Sequence, residues 1–278
     1  MKLIKITCLA MVLLLCFASI LSCGGNQKKY VILEETLSDV DPYGIGFRKG
    51  DNDLTVAVQE LLDAMIADGT FKEIAARWFD SDVIVPNAQW PREITATGDG
   101  SLEYIKNKGE FILGLDETFA PMGFRDKDGN IVGFDIDLAK EVCSRMGVEL
   151  KLQPISWDAK EMELSTKSID CIWNGMSATP ERVEAMNISK PYLVNRQVIV
   201  VAEDSGIKTK ADLAGKKVAT QSDSSALESL NNTPDFVATF ADLIEYAKYD
   251  DAWLDLKAGS VDAIAIDEVL INYYLGNE

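Results

Sequence analysis

The sequence predicts an α/β fold with parallel sheets, and three observations predict it. Short apolar runs of strand length alternate with stretches of helical spacing along most of the 278 residues. Glycine, proline, asparagine and serine clusters punctuate the runs, as turns between such elements require. No phrase of the sequence recurs, so a repeat array is excluded and each strand–helix pair reads as one unit of a compact domain.

The first residues belong to export rather than to the fold. Lys2 and Lys5 form a short positive region, and an apolar run, 6–18, follows. Ser22 directly before Cys23 resembles a lipobox, so residues 1–22 read as a signal peptide, Cys23 as the lipidated residue and 23–29 as a tether. An uncleaved membrane helix over 6–23 is the alternative, and it is barely long enough to span a bilayer. Either reading puts the rest of the chain outside the cytoplasm, lipid-anchored to the cell membrane in the first case.

Residues 30–33 read as a strand, and 43–48 as a second strand interrupted by glycines. Leu54, Val58, Leu61, Leu62, Met65 and Ile66 have helical spacing, Gly69 stops that helix, and another covers 71–79. Pro86, Pro91, Gly98 and Gly100 mark a linker over 83–100. Strands are expected at 111–115, 148–155, 169–174, 192–202, 217–221, 236–240 and 261–266. Helices are expected at 135–146, 210–214, 224–231, 242–257 and 268–275.

The balance of charge narrows the partners. The whole chain carries a formal charge of −18, and loss of Lys2 and Lys5 with the signal peptide makes it more negative still. Such a surface repels phosphate backbones, so nucleic acid is disfavoured. There is no histidine, which removes the commonest general base, the commonest zinc ligand and any Ser–His or Cys–His pair. Cys143 lies on the apolar face of helix 135–146 and Cys171 in an apolar strand, so both read as buried thiols. No metal or cofactor is expected.

Several strand ends carry polar residues of a recurring kind. Asp116 and Phe119 follow strand 111–115, at the carboxyl end where open α/β sheets bind ligands, although a solvated loop would look the same. Trp157 follows strand 148–155; with Phe119 it suits an apolar stem held between rings, against a reading as plain packing. Asn174, Gly175 and Ser177 lead into a helix that opens at Pro180, with Arg182 in its first turn. Exposed amides and a forked guanidinium there suit a carboxylate; Thr179 as an N-cap and Arg182 as a surface charge is the plain alternative. Gln221, Ser224 and Ser225 open another helix and are either anion-friendly or simple caps. Asp267 either pairs with an ammonium or caps the helix after it. Together these residues fit a zwitterion, and no nucleophile–base pair or phosphate loop accompanies them.

At this point a family resemblance enters. Phe119-Ala120-Pro121-Met122-Gly123-Phe124, Gly129-Asn130-Ile131-Val132-Gly133-Phe134-Asp135, Thr179-Pro180-Glu181-Arg182 and Ser189-Lys190-Pro191-Tyr192 resemble the solute-binding proteins of polar amino acid ABC transporters. The resemblance implies a two-lobe, type II periplasmic-binding-protein-like α/β fold with two hinge strands. Tyr43-Gly44-Ile45-Gly46-Phe47-Arg48 and the segment from Asp68 to Phe79 resemble the family's closing segment but come first, so the chain looks circularly permuted. Crossings near 41–44 and 192–196 would then give a contiguous lobe 1, 44–191, and a lobe 2 split between 30–41 and 196–278. By resemblance, Arg182 grips an α-carboxylate with help near Ser177 and Ser225, and Asp267 takes the α-ammonium. Phe119 and Trp157 flank the side chain, and Asp116, Asn174 and Gln221 line its end, which favours a glutamine- or arginine-like ligand. The implied partners are that amino acid, a transporter permease and, through Cys23, the membrane; a monomer is expected. A dehydratase-like enzyme on the same scaffold and a sensory amino-acid-binding domain are the competing readings.

Overall fold

The computed structural model describes residues 29–79 and 93–277. The signal peptide, Cys23 with the tether up to residue 28, and Pro86 and Pro91 of the linker lie outside the described residues. Among the described residues, no helix is long and apolar enough to cross a membrane.

In chain order the strands begin with β1 (Tyr30–Ile32), β2 (Ser38–Tyr43), β3 (Gly46–Phe47) and β4 (Glu110–Leu115). A small meander follows as β5 (Thr118–Phe119), β6 (Gly123–Arg125) and β7 (Ile131–Val132). Then come β8 (Glu149–Pro154), β9 (Cys171–Ile172), β10 (Asn187–Ile188) and β11 (Leu193–Ala202). The last are β12 (Lys217–Gln221), β13 (Asp242–Tyr246) and β14 (Ala263–Asp267). The helices are α1 (Asn52–Asp68), α2 (Thr70–Ala75), α3 (Ser101–Lys108), α4 (Phe134–Met146), α5 (Lys160–Ser165) and α6 (Pro180–Ala185). Those of the second half are α7 (Ser225–Asn231), α8 (Pro234–Val237), α9 (Tyr249–Ala258) and α10 (Glu268–Gly276).

Two sheets divide the molecule into two lobes. One runs β10-β3-β9-β4-β8 and the other β1-β11-β14-β12-β13, with β2 also on β11. Both are mixed rather than wholly parallel. β4 lies parallel to β8 and β9, and β12 parallel to β13 and β14. β3 and β11 run antiparallel to their neighbours. The reason is connectivity: β3 and β11 each arrive from the other lobe, not through a right-handed crossover of their own. The chain changes sheet between Tyr43 and Gly46 and again between Ile188 and Leu193. At that waist Tyr43 pairs with Leu193, Gly44 N–H donates to Met176 O (2.9 Å) and Ile45 N–H donates to Ser189 Oγ (2.9 Å).

Three expected elements differ. Residues 43–48, expected as one strand, divide between β2 and β3, which belong to different sheets. Residues 236–240 are not a strand: Pro234 opens α8, and Phe236 and Phe240, four apart, meet edge to face at 4.8 Å. Residues 242–246, expected as helix, form β13, whose register on β12 runs from Lys217 opposite Asp242 to Gln221 opposite Tyr246. The helix begins only at Tyr249. The thiols of Cys143 and Cys171 are free and buried as expected.

The linker joins the first helix pair by reciprocal capping. Asp99 Oδ2 accepts from the N–H groups of Asn52 and Asp53, at 3.0 Å each, at the start of α1. In return Asp53 accepts from the N–H groups of Thr97, Gly98 and Gly100, just ahead of α3. Asp99 satisfies amides that the start of α1 leaves without intrahelical partners, and Asp53, in the first turn of α1, sits at the positive end of its helix dipole.

Candidate functional site

Eleven residues line one small cavity between the sheets: Asp116, Phe119, Trp157, Asn174, Gly175, Ser177, Arg182, Gln221, Ser224, Ser225 and Asp267. They are the eleven residues singled out in the sequence. β4, β8 and β9 deliver the first group at their carboxyl ends, and β12 and β14 deliver Gln221 and Asp267 at theirs. The cavity holds about 10 Å³ of free volume, room for one water. A larger guest therefore requires the lobes to part and the side chains that meet across the cleft to let go.

Arg182, in the first turn of α6, is buried. Its Nη1 donates to Ser177 O at 3.1 Å, and its Nη2 crosses the cleft to Asp223 O at 2.9 Å. Thr179 caps the same helix, accepting from Arg182 N–H at 3.4 Å. The capping and the binding readings of this motif are thus compatible. Gly175 adopts a φ of +58°, and a Cβ there would sit 2.7 Å from the Phe119 ring and 3.1 Å from Met122. Only glycine lets the backbone turn this close to the ring. The Gly175 N–H is fixed by Asp135 Oδ2 at 2.7 Å, and Tyr192 OH donates to the same oxygen at 2.9 Å.

Asp116 stands on the side of β4 and is reached across the cleft by Gln221 Nε2 at 2.8 Å. Its second oxygen accepts from Thr118 N–H (3.0 Å) and Oγ1 (2.7 Å), and its own N–H donates to Asn174 Oδ1 (3.0 Å). Ser177 Oγ and Ser225 Oγ also meet across the cleft at 2.8 Å. Ser224 caps α7 through Leu227 N–H at 3.1 Å while still lining the cavity.

Asp267 resolves the other ambiguity. It makes no side-chain cap on α10 and turns inward. Its Oδ1 accepts from Tyr43 OH (2.7 Å), Asn195 Nδ2 (2.8 Å) and Gln197 Nε2 (2.7 Å). The same two amides reach Asp41 Oδ2 at 2.9 and 2.6 Å, and Ser177 Oγ donates to that oxygen at 2.7 Å. Two buried carboxylates therefore share neutral donors at the waist. Burial first, and the nearby Asp41 charge second, push the Asp267 carboxyl up to about 7. Sequence reading missed Asp41, Asn195, Gln197 and Tyr43 as supports. A signal existed for two of them: Asn195 and Gln197 are two apart in a strand, hence on one face, at the start of a long apolar run with Arg196 on the other face.

With this geometry in place, comparison with known proteins is decisive about family. Residues 111–259 match the bacterial extracellular solute-binding proteins, family 3, and the chain belongs to that family. The L-cystine-binding protein TcyJ of Escherichia coli is 32% identical over 176 residues, 62% of this chain and 64% of that protein. The match thus spans less than two thirds of that relative's length. A substrate-binding protein of an ABC uptake transporter from Streptococcus pneumoniae, solved with bound histidine, superposes with a TM-score of 0.63 at 40% identity. That match covers 65% of this chain and 75% of that one. The arginine-bound, truncated ArgBP of T. maritima gives a TM-score of 0.59 at 38% identity, covering 63% and 82%.

A pH dependence follows from the waist. With its carboxyl raised, Asp267 keeps a proton in the folded chain that it has lost in the unfolded chain between about pH 4 and 7. Its contribution to stability is therefore whole below that window and falls as pH rises through it. Asp135, pushed by burial to about 7, acts in the same direction. We expect Asp267→Asn to raise the thermal midpoint of the free protein at pH 8 and to change it little at pH 4. Equal shifts at the two pH values would contradict this assignment.

Proposed function

We propose that this protein binds a polar amino acid between its lobes outside the cytoplasm, tethered by lipid on Cys23, and delivers it to an ABC transporter permease. One observation carries the reading: a buried guanidinium on one lobe and a buried carboxylate on the other, Arg182 and Asp267, face a single cavity. Neither charge is cheap to bury, and a zwitterion supplies a partner to each at once. Phe119 and Trp157 offer apolar faces for the side-chain stem, and Asp116 offers an acceptor at its end. That donor set favours a guanidinium or amide terminus over an acidic one. A micromolar dissociation constant needs about −8 kcal/mol, within reach of a few charge-assisted bonds in a site closed to water.

In this proposal the ligand draws the lobes together because only the closed form offers it both partners. Isothermal titration with L-arginine, L-glutamine and L-glutamate tests it. Arginine or glutamine should bind at least about ten-fold tighter than glutamate, a gap of about 1.4 kcal/mol. Arg182→Ala should weaken binding about 100-fold or more, with the free protein still folded. Preference for glutamate, or binding that survives Arg182→Ala, refutes the assignment.

The order of elements supports a further part of the same reading, that the fold is circularly permuted. Tyr30 and Tyr274 both pack on Trp253, with ring centroids 4.7 and 5.6 Å away. Residues near the two ends of this lobe are thus neighbours, and a short bridge between them spans little distance. A chain re-cut to run from residue 93 to 278, through a short Gly/Ser bridge, and on from 29 to 82 should fold and bind the same amino acid within about three-fold. A re-cut chain that is unfolded, or folded without binding, contradicts the permutation.

A further inference from the structure

Lys160 is fully buried and lies outside the cavity lining. It opens α5 on the lobe of β4, β8 and β9. Its Nζ crosses the cleft to the Asp223 carboxylate, with Asp223 O and Trp157 O each at 3.3 Å. Asp223 belongs to the opposite lobe, in the turn between β12 and α7. Its φ of +56° is in the left-handed region that aspartate tolerates better than most side chains but still less readily than glycine. An aspartate here keeps a carboxylate where the backbone alone would favour glycine.

The same residue answers both cations of the facing lobe. Its backbone carbonyl accepts from Arg182 Nη2 and from Lys160, and its carboxylate takes Lys160. Both cations lie near the Trp157 ring, Lys160 Nζ at 5.0 Å and Arg182 Cζ at 5.9 Å from its centroid. Burial, and then the neighbouring Arg182 charge, lower the Lys160 pKa, so the ammonium gains from an anion brought to it. On its own lobe Lys160 also has the Glu161 carboxylate at 3.3 Å, and both acidic side chains are partly exposed, Glu161 43% and Asp223 50%.

Other cross-cleft bonds are placed differently. Asp116–Gln221 and Ser177–Ser225 join residues that line the cavity, so a guest there competes with them. Asp223 instead lines an adjoining outer groove, which shares Arg182 and Ser224 with the cavity and adds Glu181, Ala185 and Glu228. Neither Lys160 nor Asp223 lines the cavity, so a guest there does not compete for their bond, which can re-form once the lobes have closed over it. We infer that Lys160 and Asp223 form a cross-cleft latch at the rim, which biases the lobes toward closure and slows the escape of a bound guest. The lysine and aspartate act as positioning residues, since neither needs to touch the guest. The escape arm rests on the ligand-binding reading proposed above; the closure arm does not.

Small-angle scattering of the purified full-length protein without ligand, and stopped-flow dissociation of L-arginine followed by tryptophan fluorescence, test the latch on Lys160→Met, Asp223→Asn and the double variant. Methionine preserves the length of the buried stem, and Asp223→Asn keeps the carbonyl that serves Arg182. Each single variant should shift the free protein to a larger radius of gyration and speed dissociation about ten-fold, with association changed less than about three-fold. The double variant should be no worse than either single one, because both remove the same bond. Unchanged scattering in Asp223→Asn, or effects that simply add in the double variant, overturn the latch. If the wild type binds no L-arginine, the binding proposal fails, and the scattering result still decides whether the latch exists.

Discussion

The structure depends on charges buried at the meeting of two lobes. Arg182 and Asp267 come from different lobes and are nearly removed from water. Desolvating a guanidinium or a carboxylate is expensive unless hydrogen bonds or an opposite charge replace the lost water. Neutral groups replace that water: the carbonyls of Ser177 and, from the opposite lobe, Asp223 for Arg182, and a phenol with two amides for Asp267. These partners hold the charges without neutralising them. A binding protein built this way keeps its affinity in reserve, and the raised carboxyl of Asp267 is the stability it gives up.

The waist explains why the lobes can move without losing register. Two chain crossings are pinned together by Tyr43 opposite Leu193 and by backbone bonds to Met176 and Ser189. Each lobe has its own sheet, while the buried apolar residues form one cluster that continues across the cleft where Phe119 meets Tyr249 and Phe124 meets Tyr273, so motion about the crossings would keep both sheets and part those ring contacts. Asp41 lies in one crossing strand and Asn195 in the other, and both belong to the network that holds Asp267. The hinge and the acidic half of the site are therefore one hydrogen-bonded unit. Moving the chain's ends elsewhere leaves that unit untouched, which is the physical reason a permuted order is compatible with the fold.

Much of this was legible in the sequence, and what was not has identifiable causes. Strand ends carrying Asp116, Trp157, Asn174, Gln221 and Asp267 could be read because the carboxyl ends of parallel strands must face one side. Whether Asp267 capped α10 or faced inward could not, since both uses put an acid at the same position. The exchange of strand and helix around 236–246 arose because Phe236 and Phe240 fit an apolar strand as well as a helix of one turn. The mixed character of the sheets was hidden because strand direction at the crossings depends on tertiary path. Lys160 gave no local sign at all: a lysine among Glu161, Met162 and Glu163 reads as a solvated helix face. Its burial comes from the opposite lobe folding over it.

The central claim is that one small dipolar molecule satisfies both lobes together. A crystal structure of the protein with L-arginine is its most direct measurement. The account predicts the ligand carboxylate within hydrogen-bonding distance of the Arg182 guanidinium and its α-ammonium within the same reach of Asp267, in a single closed cleft. An arginine held by one lobe alone, with the other charge still on its neutral partners, would contradict it.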